Sequence, residues 1–358
     1  MIVFSQVGND MEPMNFQIAY RRYRREFRRP LRTAHGDWKT REGFLVRIES
    51  EKGVGYGEVA PIPDFGTETI ERAEDFLNKW ADDPIIMPSG MPCCLFALTM
   101  AMKGVEASQG ASGIPISRNG APKAELPAMR DYRVAGLLPA GTDALSAAKE
   151  KSIAGYTTLK WKVGLYPAEA EIEILEDLLA LLPGSVSLRL DANGGLNESQ
   201  FKTWLEALAP HRSRIDYFEQ PLAPGNEALM AELARGSGVE IALDESLNGS
   251  RRDQWLVPEA WDGPLVIKPL LMGNVTALME QLRPLADQLV LSSVFETGCG
   301  LSLVLKLGDM LPAMNRAVGF DTLSAFDDNL SCLAPGPQIS ASERATINLE
   351  HIWQQLAP

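Results

Sequence analysis

Five short apolar runs, each closed by a charged side chain, recur along the middle of this 358-residue chain at nearly constant spacing. They end at Lys162 in TTLKWKVG, Asp191 in VSLRLDAN, Glu219 in IDYFEQP, Asp244 in EIALDES and Lys268 in PLVIKPL, at intervals of 29, 28, 25 and 24 residues. A closed barrel of eight strand–helix units needs roughly 30 residues per unit, so the period predicts such a barrel. Charged groups at the C-terminal tips of its parallel strands converge on one mouth, where barrels of this kind carry their chemistry. Three carboxylates flanked by two lysines then read as one metal site between two proton-transfer groups.

A chain this long, with 45% hydrophobic residues, can bury a barrel core and that of a smaller domain. Its net charge of −13 and pI near 4.9 argue against nucleic-acid binding over the whole surface, because phosphate contacts rely on Lys and Arg. The local cluster RRYRREFRRP carries six arginines beside Tyr20, Tyr23 and Phe27, and is expected to form the solvated side of a strand or helix rather than a nucleic-acid patch. Cys93, Cys94, Cys299 and Cys332 show no zinc or C-x-x-C spacing, so a reduced, cytoplasmic setting is expected. The sequence contains no apolar run of 18 residues, no cationic–apolar leader and no phosphate-binding glycine loop; neither a membrane span nor a nucleotide site is expected.

Three regions follow from the patterning. Residues 1–125 are expected to form an α+β capping domain: alternating runs such as FLVRIES and VGYGEVA give an antiparallel sheet. Two helices follow, with faces Ile70, Ala73, Leu77, Trp80 and Leu95, Leu98, Met102, Val105. Pro92 suits a helix start and Gly110 a stop, and SQGASGIPISRNGAPKAELP reads as a crossover. Residues 126–326 alternate strand and helix, the mark of a parallel α/β fold, with Ile172, Leu175, Leu179 and Leu182 as one buried helix face and a weak last strand near AVGF. Residues 327–358 are expected to pack back on the capping domain.

Side chains two apart on a strand share a face, so Lys160 and Lys162 should both point into the barrel and Trp161 into the helix layer. Ion pairing with neighbouring carboxylates is the alternative use for either lysine. Hard oxygen ligands on separate strands suit Mg²⁺, with Mn²⁺ able to substitute, and Asp191, Glu219 and Asp244 would supply them. A substrate carboxylate on that ion can accept charge as a proton leaves the adjacent carbon, and a lysine crowded by other cations is the expected base. Asn193, two beyond Asp191, is either a substrate contact or a turn residue ahead of two glycines. Glu245 follows Asp244 and should face the other way, so only one of the pair can be a ligand.

The series KWK, LDAN, FEQPL, ALDES and VIKP resembles the enolase superfamily and its muconate-lactonizing subgroup, which implies a (β/α)7β TIM-like barrel under an α+β capping domain completed by the C-terminal tail. Sites of that superfamily, with a Lys or His base and Mg²⁺, are a known general pattern. Within the subgroup, RRPLRTAHGDWKTREGFLVRIES, GYGEVAPIPDFGTET, LSSVFETGCGLSL and GFDTLSAF are similar to the o-succinylbenzoate synthase family, a likeness over nearly the whole chain. The resemblance implies Mg²⁺-dependent dehydration of 2-succinyl-6-hydroxy-2,4-cyclohexadiene-1-carboxylate to 2-succinylbenzoate through an enediolate, on the way to menaquinone or phylloquinone. It implies Lys162 as base and then acid, Lys268 stabilising the intermediate from across the mouth, and Lys160 assisting electrostatically. It also selects Asp244 over Glu245 as ligand. Ser292 and Ser293 end the seventh strand, and are either donors to the succinyl carboxylate or ordinary strand-end serines. Thr33, His35 and Gly36 are implied in a loop closing over this small carboxylate substrate. Paired lysines would equally serve an N-acylamino acid racemase or dipeptide epimerase. A Schiff-base lyase using Lys162 or Lys268, and a non-catalytic barrel that binds acidic metabolites, are further readings.

Overall fold

The computed structural model describes residues 16–33, 36–82, 87–108 and 128–357. The expected boundary near residue 125, the crossover, Gly110 and His35 lie outside the described residues, as does the side chain of Thr33.

Three antiparallel strands, β1 (Gln17–Thr33), β2 (Gly36–Ser50) and β3 (Gly53–Val59), form the capping sheet with β2 in the centre. The β1–β2 register slips between Glu26 and Leu31, around Pro30, which has no N–H for the ladder. Helix α1 (Ile70–Asp82) buries Ala73, Leu77 and Trp80 of the expected face and leaves Ile70 half-buried. Helix α2 (Pro92–Ser108) starts at the expected proline but is not one-sided: Cys93, Cys94, Phe96, Ala97, Met100 and Ala101 are buried along with Leu98 and Val105, while Leu95 and Met102 are only half-buried. It is wedged between the capping sheet and the barrel, so both sides are covered. Side chains at Gly55 or Gly57 of β3 would overlap the α2 backbone at Ala101 and Ala97, so glycine is what lets the helix lie against the strand.

The arginine cluster falls on β1, and part of it is not solvated. Arg25 is 1% exposed. Its guanidinium donates to Asp328 at 2.7 Å, to the Glu296 carbonyl at 2.8 Å and to the Ser331 hydroxyl at 2.7 Å, and stacks 3.7 Å from the Phe326 ring centroid. Arg22 and Arg24 conform to the expectation, pairing with Glu42 at the surface. Arg25 differs because alternation along β1 turns it, like Tyr23, toward the barrel.

From residue 132 the chain runs through β4 (Tyr132–Arg133), β5 (Gly136–Leu138), α3 (Asp143–Ile153), β6 (Thr158–Lys162), α4 (Ala168–Leu181), β7 (Ser187–Asp191), α5 (Glu198–Leu208), β8 (Ile215–Glu219), α6 (Glu227–Ala234) and β9 (Ile241–Ala242). Then come β10 (Leu265–Ile267), α7 (Val275–Leu282), β11 (Leu289–Leu291) and α8 (Gly298–Met310). Strands β5 to β9 pair in parallel in sequence order, as do β10 and β11. Parallel bridges Leu243–Leu265, Ser292–Gly319 and Val134–Val318 close the ring, with residues 317–320 as the eighth staff. The weak last strand is therefore present only as bridges. After Asp244 the connection holds 3-10 turns, Glu245–Leu247 and Gly249–Gln254, in place of an α-helix.

Tyr217, Ala242, Val266 and Val290 form a small buried cluster of their own inside the barrel. Trp161 points the other way, 6.2 Å from Trp204 of α5, as alternation predicts. Helix α4 buries Glu171, Ile174, Leu175 and Leu178, a stripe rotated from the expected one that leaves Ile172 and Leu179 half-buried. The rotation brings Glu171 inward, where its carboxylate accepts the N–H groups of Gly164, Leu165 and Tyr166 at 2.7–3.2 Å.

The tail touches both bodies rather than the cap alone. Strand β12 (Gln338–Ile339) pairs with β4, and Arg344 of α9 (Ala341–Arg344) pairs with Asp309 of α8 at 2.5 Å. Helix α10 (Leu349–Gln354) lies against the cap, where Arg47 pairs with Glu350 at 3.1 Å and Arg21 stacks 4.5 Å from the Trp353 ring.

Candidate active site

Lys162, Asp191, Glu219, Asp244 and Lys268 each stand at or just beyond a strand's C-terminal end, with Lys160 two residues inside β6, and neighbouring strands put the ends in register. Lys162 lies opposite Asp191, and Asp191 opposite Glu219. Glu219 pairs with Ala242, two residues before Asp244. Counted round the ring, the lysines close the second and sixth of eight strands, so they face each other across the mouth with the three carboxylates on the strands between.

The carboxylates are nearly inaccessible: Asp191 is 7%, Glu219 0% and Asp244 5% exposed. Lys160 bridges two of them, its ammonium 2.8 Å from Asp191 Oδ2 and 2.7 Å from Glu219 Oε1, while Lys268 pairs with Asp244. The ion-pairing use open to Lys160 is thus realised, and Lys268 is paired as well. Among the described residues no three acidic, histidine or cysteine side chains are gathered into a ready cation cage, and these acids are instead paired with the ammonium groups of Lys160 and Lys268. Oxygen Oε2 of Glu219 is nevertheless buried with no hydrogen-bond partner.

Electrostatics follow from this crowding. Burial disfavours the Lys160 ammonium, but Asp191 and Glu219 outweigh it and hold its pKa well above the ordinary lysine value. Burial, reinforced by the Asp191 charge, pushes Glu219 well up despite Lys160. Burial would also raise Asp244, yet Lys268 and Lys160 hold it below the usual carboxylate range. Burial and the neighbouring Asp244 push Glu245 up to about 8.

Asn193 takes the turn role of the two open to it. Its φ of 46° makes it a turn residue, and its amide donates to Glu245 Oε1 at 3.1 Å. Glu245 does not point away as strand alternation predicts, because β9 ends at Ala242 and a 3-10 turn returns Glu245 toward Asn193. Ser292 is two residues beyond the interior Val290 and shares its face toward the mouth. Ser293 is engaged elsewhere, donating to Glu296 and accepting from Phe295 and Thr322. Gly36 is exposed at the β1–β2 turn, with φ of 112°.

The cap reaches the mouth through the turn Pro63–Phe65. The Lys268 ammonium lies 5.0 Å from the Phe65 ring centroid, beside a cavity of about 230 Å³ lined also by Gly66, Asn248, Arg252 and Met272. Behind this contact Arg41 donates to the carbonyls of Ala60, Pro61 and Val294 at 2.6–2.9 Å. Phe65, Arg41, Glu171 and the fully buried Gln220 were not singled out by sequence reasoning. Of these, only Gln220 carried a signal, as the residue between Glu219 and a proline in FEQPL.

A capped eight-strand barrel with lysines facing each other across three carboxylates is the architecture of the enolase superfamily. Residues 143–262 match the family described as "Enolase C-terminal domain-like", and residues 20–105 match "MenC, N-terminal domain". The o-succinylbenzoate synthase of Thermosynechococcus vestitus is 35% identical over 77% of this chain and 84% of its own. The crystal structure of o-succinylbenzoate synthase from Thermosynechococcus elongatus BP-1, complexed with Mg in the active site, superimposes with a TM-score of 0.76 at 29% identity, covering 95% of this chain and all of that one. The L-Ala-D/L-Glu epimerase of Bacillus subtilis shares the fold, with a TM-score of 0.71 at 19% identity over 90% and 95% of the two chains. The chain belongs to the o-succinylbenzoate synthase family of the enolase superfamily.

Proposed function

We propose that the mouth holds Mg²⁺ through Asp191, Glu219 and Asp244 and dehydrates 2-succinyl-6-hydroxy-2,4-cyclohexadiene-1-carboxylate to 2-succinylbenzoate. The observation that carries this reading is the placement of Lys162 and Lys268 on opposite staves of the barrel with those acids between them. The donor set fits the ion: three hard oxygen ligands on adjacent strands, one with an oxygen that no hydrogen bond uses. When bound, the ion would supply a Lewis acid for the substrate carboxylate. Mn²⁺ is expected to substitute, since it shares the preference for six oxygen ligands.

Lys162 takes the proton from the carbon bearing the carboxylate, and the bonding pair moves into that carboxylate as an enediolate. The pair then returns to form the ring double bond as the C–O bond breaks, and Lys162 gives the proton to the departing hydroxyl. Water leaves on the face from which the proton was taken, and the ring becomes aromatic. Lys268 presents its charge to the opposite face, where it favours the planar anion over the puckered substrate. Lys160, held charged by Asp191 and Glu219, offsets negative charge below the reacting carbon. Ser292 is assigned to the succinyl carboxylate, with Asn193 lining the mouth. Ser293 is assigned to support the loop that carries Ser292, and the Thr33, His35 and Gly36 turn to cover the substrate.

The test is an assay of the purified protein with the cyclohexadiene acid, with and without Mg²⁺, following aromatic absorbance. Turnover that needs the ion supports the reading, and none under either condition removes it. Incubation with an N-succinylamino acid in D₂O separates the racemase chemistry, which would place deuterium on the α-carbon. The four cysteines, all free, suit a reducing cytoplasmic setting, and no helix among the described residues is long and apolar enough to cross a membrane.

A further inference from the structure

We propose that Gln220 is a positioning residue that sets the spacing of the three carboxylates, an inference that rests on the metal reading above. It immediately follows Glu219 and is fully buried, with φ of 36°. That left-handed backbone costs of order 1 kcal/mol for a side chain of this kind and persists only where surrounding bonds impose it. The bonds here reach the neighbouring strand β9 and the loop that follows β7. The Gln220 N–H donates to the Ala242 carbonyl at 2.9 Å, and its carbonyl accepts the Gly194 N–H at 2.6 Å.

The side chain completes the link. Strand β9 stops at Ala242, and Asp244, with φ −128° and ψ −74°, has left the ladder. Its N–H therefore needs another acceptor, and Gln220 Oε1 takes it at 3.0 Å together with the Ser246 N–H at 3.1 Å. On the same amide, Nε2 donates to the Leu222 carbonyl at 3.0 Å and the Ser246 hydroxyl at 2.8 Å. Ser246 in turn donates to Glu227 at 2.6 Å. All four hydrogen-bonding positions of the amide are filled. One residue thus ties the loop that follows β7, three residues beyond Asp191, and the end of β9, which leads to Asp244, to the strand that ends in Glu219.

No other side chain does this equally. Asn is one methylene too short, Met fills the space without bonds, and Glu keeps the acceptor for Asp244 but cannot donate to Leu222. Residues that hold metal ligands in place typically change metal affinity roughly 10- to 100-fold when replaced. The experiment is calorimetric titration of Mg²⁺ into the full-length wild type, Gln220→Met, Gln220→Glu and Ser246→Ala, with circular dichroism and urea unfolding as fold controls.

The expected result is a Kd for Mg²⁺ raised about 10- to 100-fold in Gln220→Met, with smaller rises in Gln220→Glu and Ser246→Ala. Activity of Gln220→Met should recover in large part at saturating Mg²⁺, a rescue that damage to the fold alone would not show. Folded Gln220→Met with the wild-type Kd overturns the proposal. Where that variant does not fold, Ser246→Ala decides by the same criterion, and failure of all three variants to fold also overturns it, since the network would then hold the barrel and not the ligands. If the wild type itself takes up no Mg²⁺, it is the metal reading that falls.

Discussion

The carboxylate of Glu58, on the last strand of the capping sheet, accepts the N–H of Gly300 at 2.7 Å in the first turn of barrel helix α8. It also accepts the Thr297 N–H at 2.9 Å, the Thr297 hydroxyl at 2.5 Å and the Tyr23 hydroxyl at 2.8 Å. A helix leaves its first N–H groups without intrahelical partners, and its positive end favours an anion. Here the cap domain supplies that anion, so the two bodies are joined at a buried charge. Glu58→Ala would leave several of these donors unsatisfied inside the protein, and should cost roughly 3 kcal/mol or more. Urea unfolding measures it; a loss below about 1 kcal/mol would show the contact to be incidental.

Replacing Lys162 removes the proton carrier without touching the acids. Lys162→Ala should lower kcat on the order of 10⁴-fold while Mg²⁺ affinity stays within a few-fold of wild type. Unchanged turnover would refute its role, and lost metal affinity would move Lys162 into the ligand group.

Lys268 tests charge against shape. It sits between Asp244 and the Phe65 ring, a space suited to a compact ammonium. Lys268→Arg keeps the charge but brings a planar fork, and kcat should drop at least about 100-fold. Near-normal rates would mean that only net charge at the opposite face counts.

Glu219 is the acid with a buried, unpartnered oxygen. Glu219→Gln should weaken Mg²⁺ binding by about 10-fold or more, because a neutral ligand replaces a charged one. Calorimetry on the folded variant reads this directly, and an unaltered Kd would exclude Glu219 as a ligand.

Stability should depend on pH through Glu296, whose carboxyl burial pushes from 4.5 up to about 7. A folded-state pKa above the unfolded one means the folded chain binds more protons across that interval. Its contribution is complete below about pH 4.5, and falls as pH rises until it levels off above about 7, by at most about 3 kcal/mol. In Glu296→Gln, which keeps acceptors for Ser293 and Val294, this part of the slope should vanish. Urea unfolding of both proteins at pH 5 and pH 8 checks it, and parallel curves would show that Glu296 does not titrate in this range.

Wherever function depends on strand-end spacing, the sequence was informative. A parallel barrel repeats one unit, so Lys162, Asp191, Glu219, Asp244 and Lys268 declare themselves by interval, and alternation correctly sends Trp161 outward and Lys160 inward. The same rule misplaced Glu245, because periodicity assumes that a strand continues, while β9 stops two residues before Asp244.

What stayed hidden has one physical cause: it depends on groups brought together from distant parts of the chain. Helix α2 is covered on two sides, so its pattern carries no single stripe. Arg25 resembled its exposed neighbours until Asp328 and Phe326 were folded over it. Nor could Glu58 be told from any other strand acid before α8 aimed its first N–H groups at it. The sequence by itself determined which chemical groups line the mouth and in what order, since that order is the order of the strands. Only the tertiary structure decided which charges are paired, which are buried and what holds them, because desolvation and hydrogen bonding are properties of the packed neighbourhood and not of the residue.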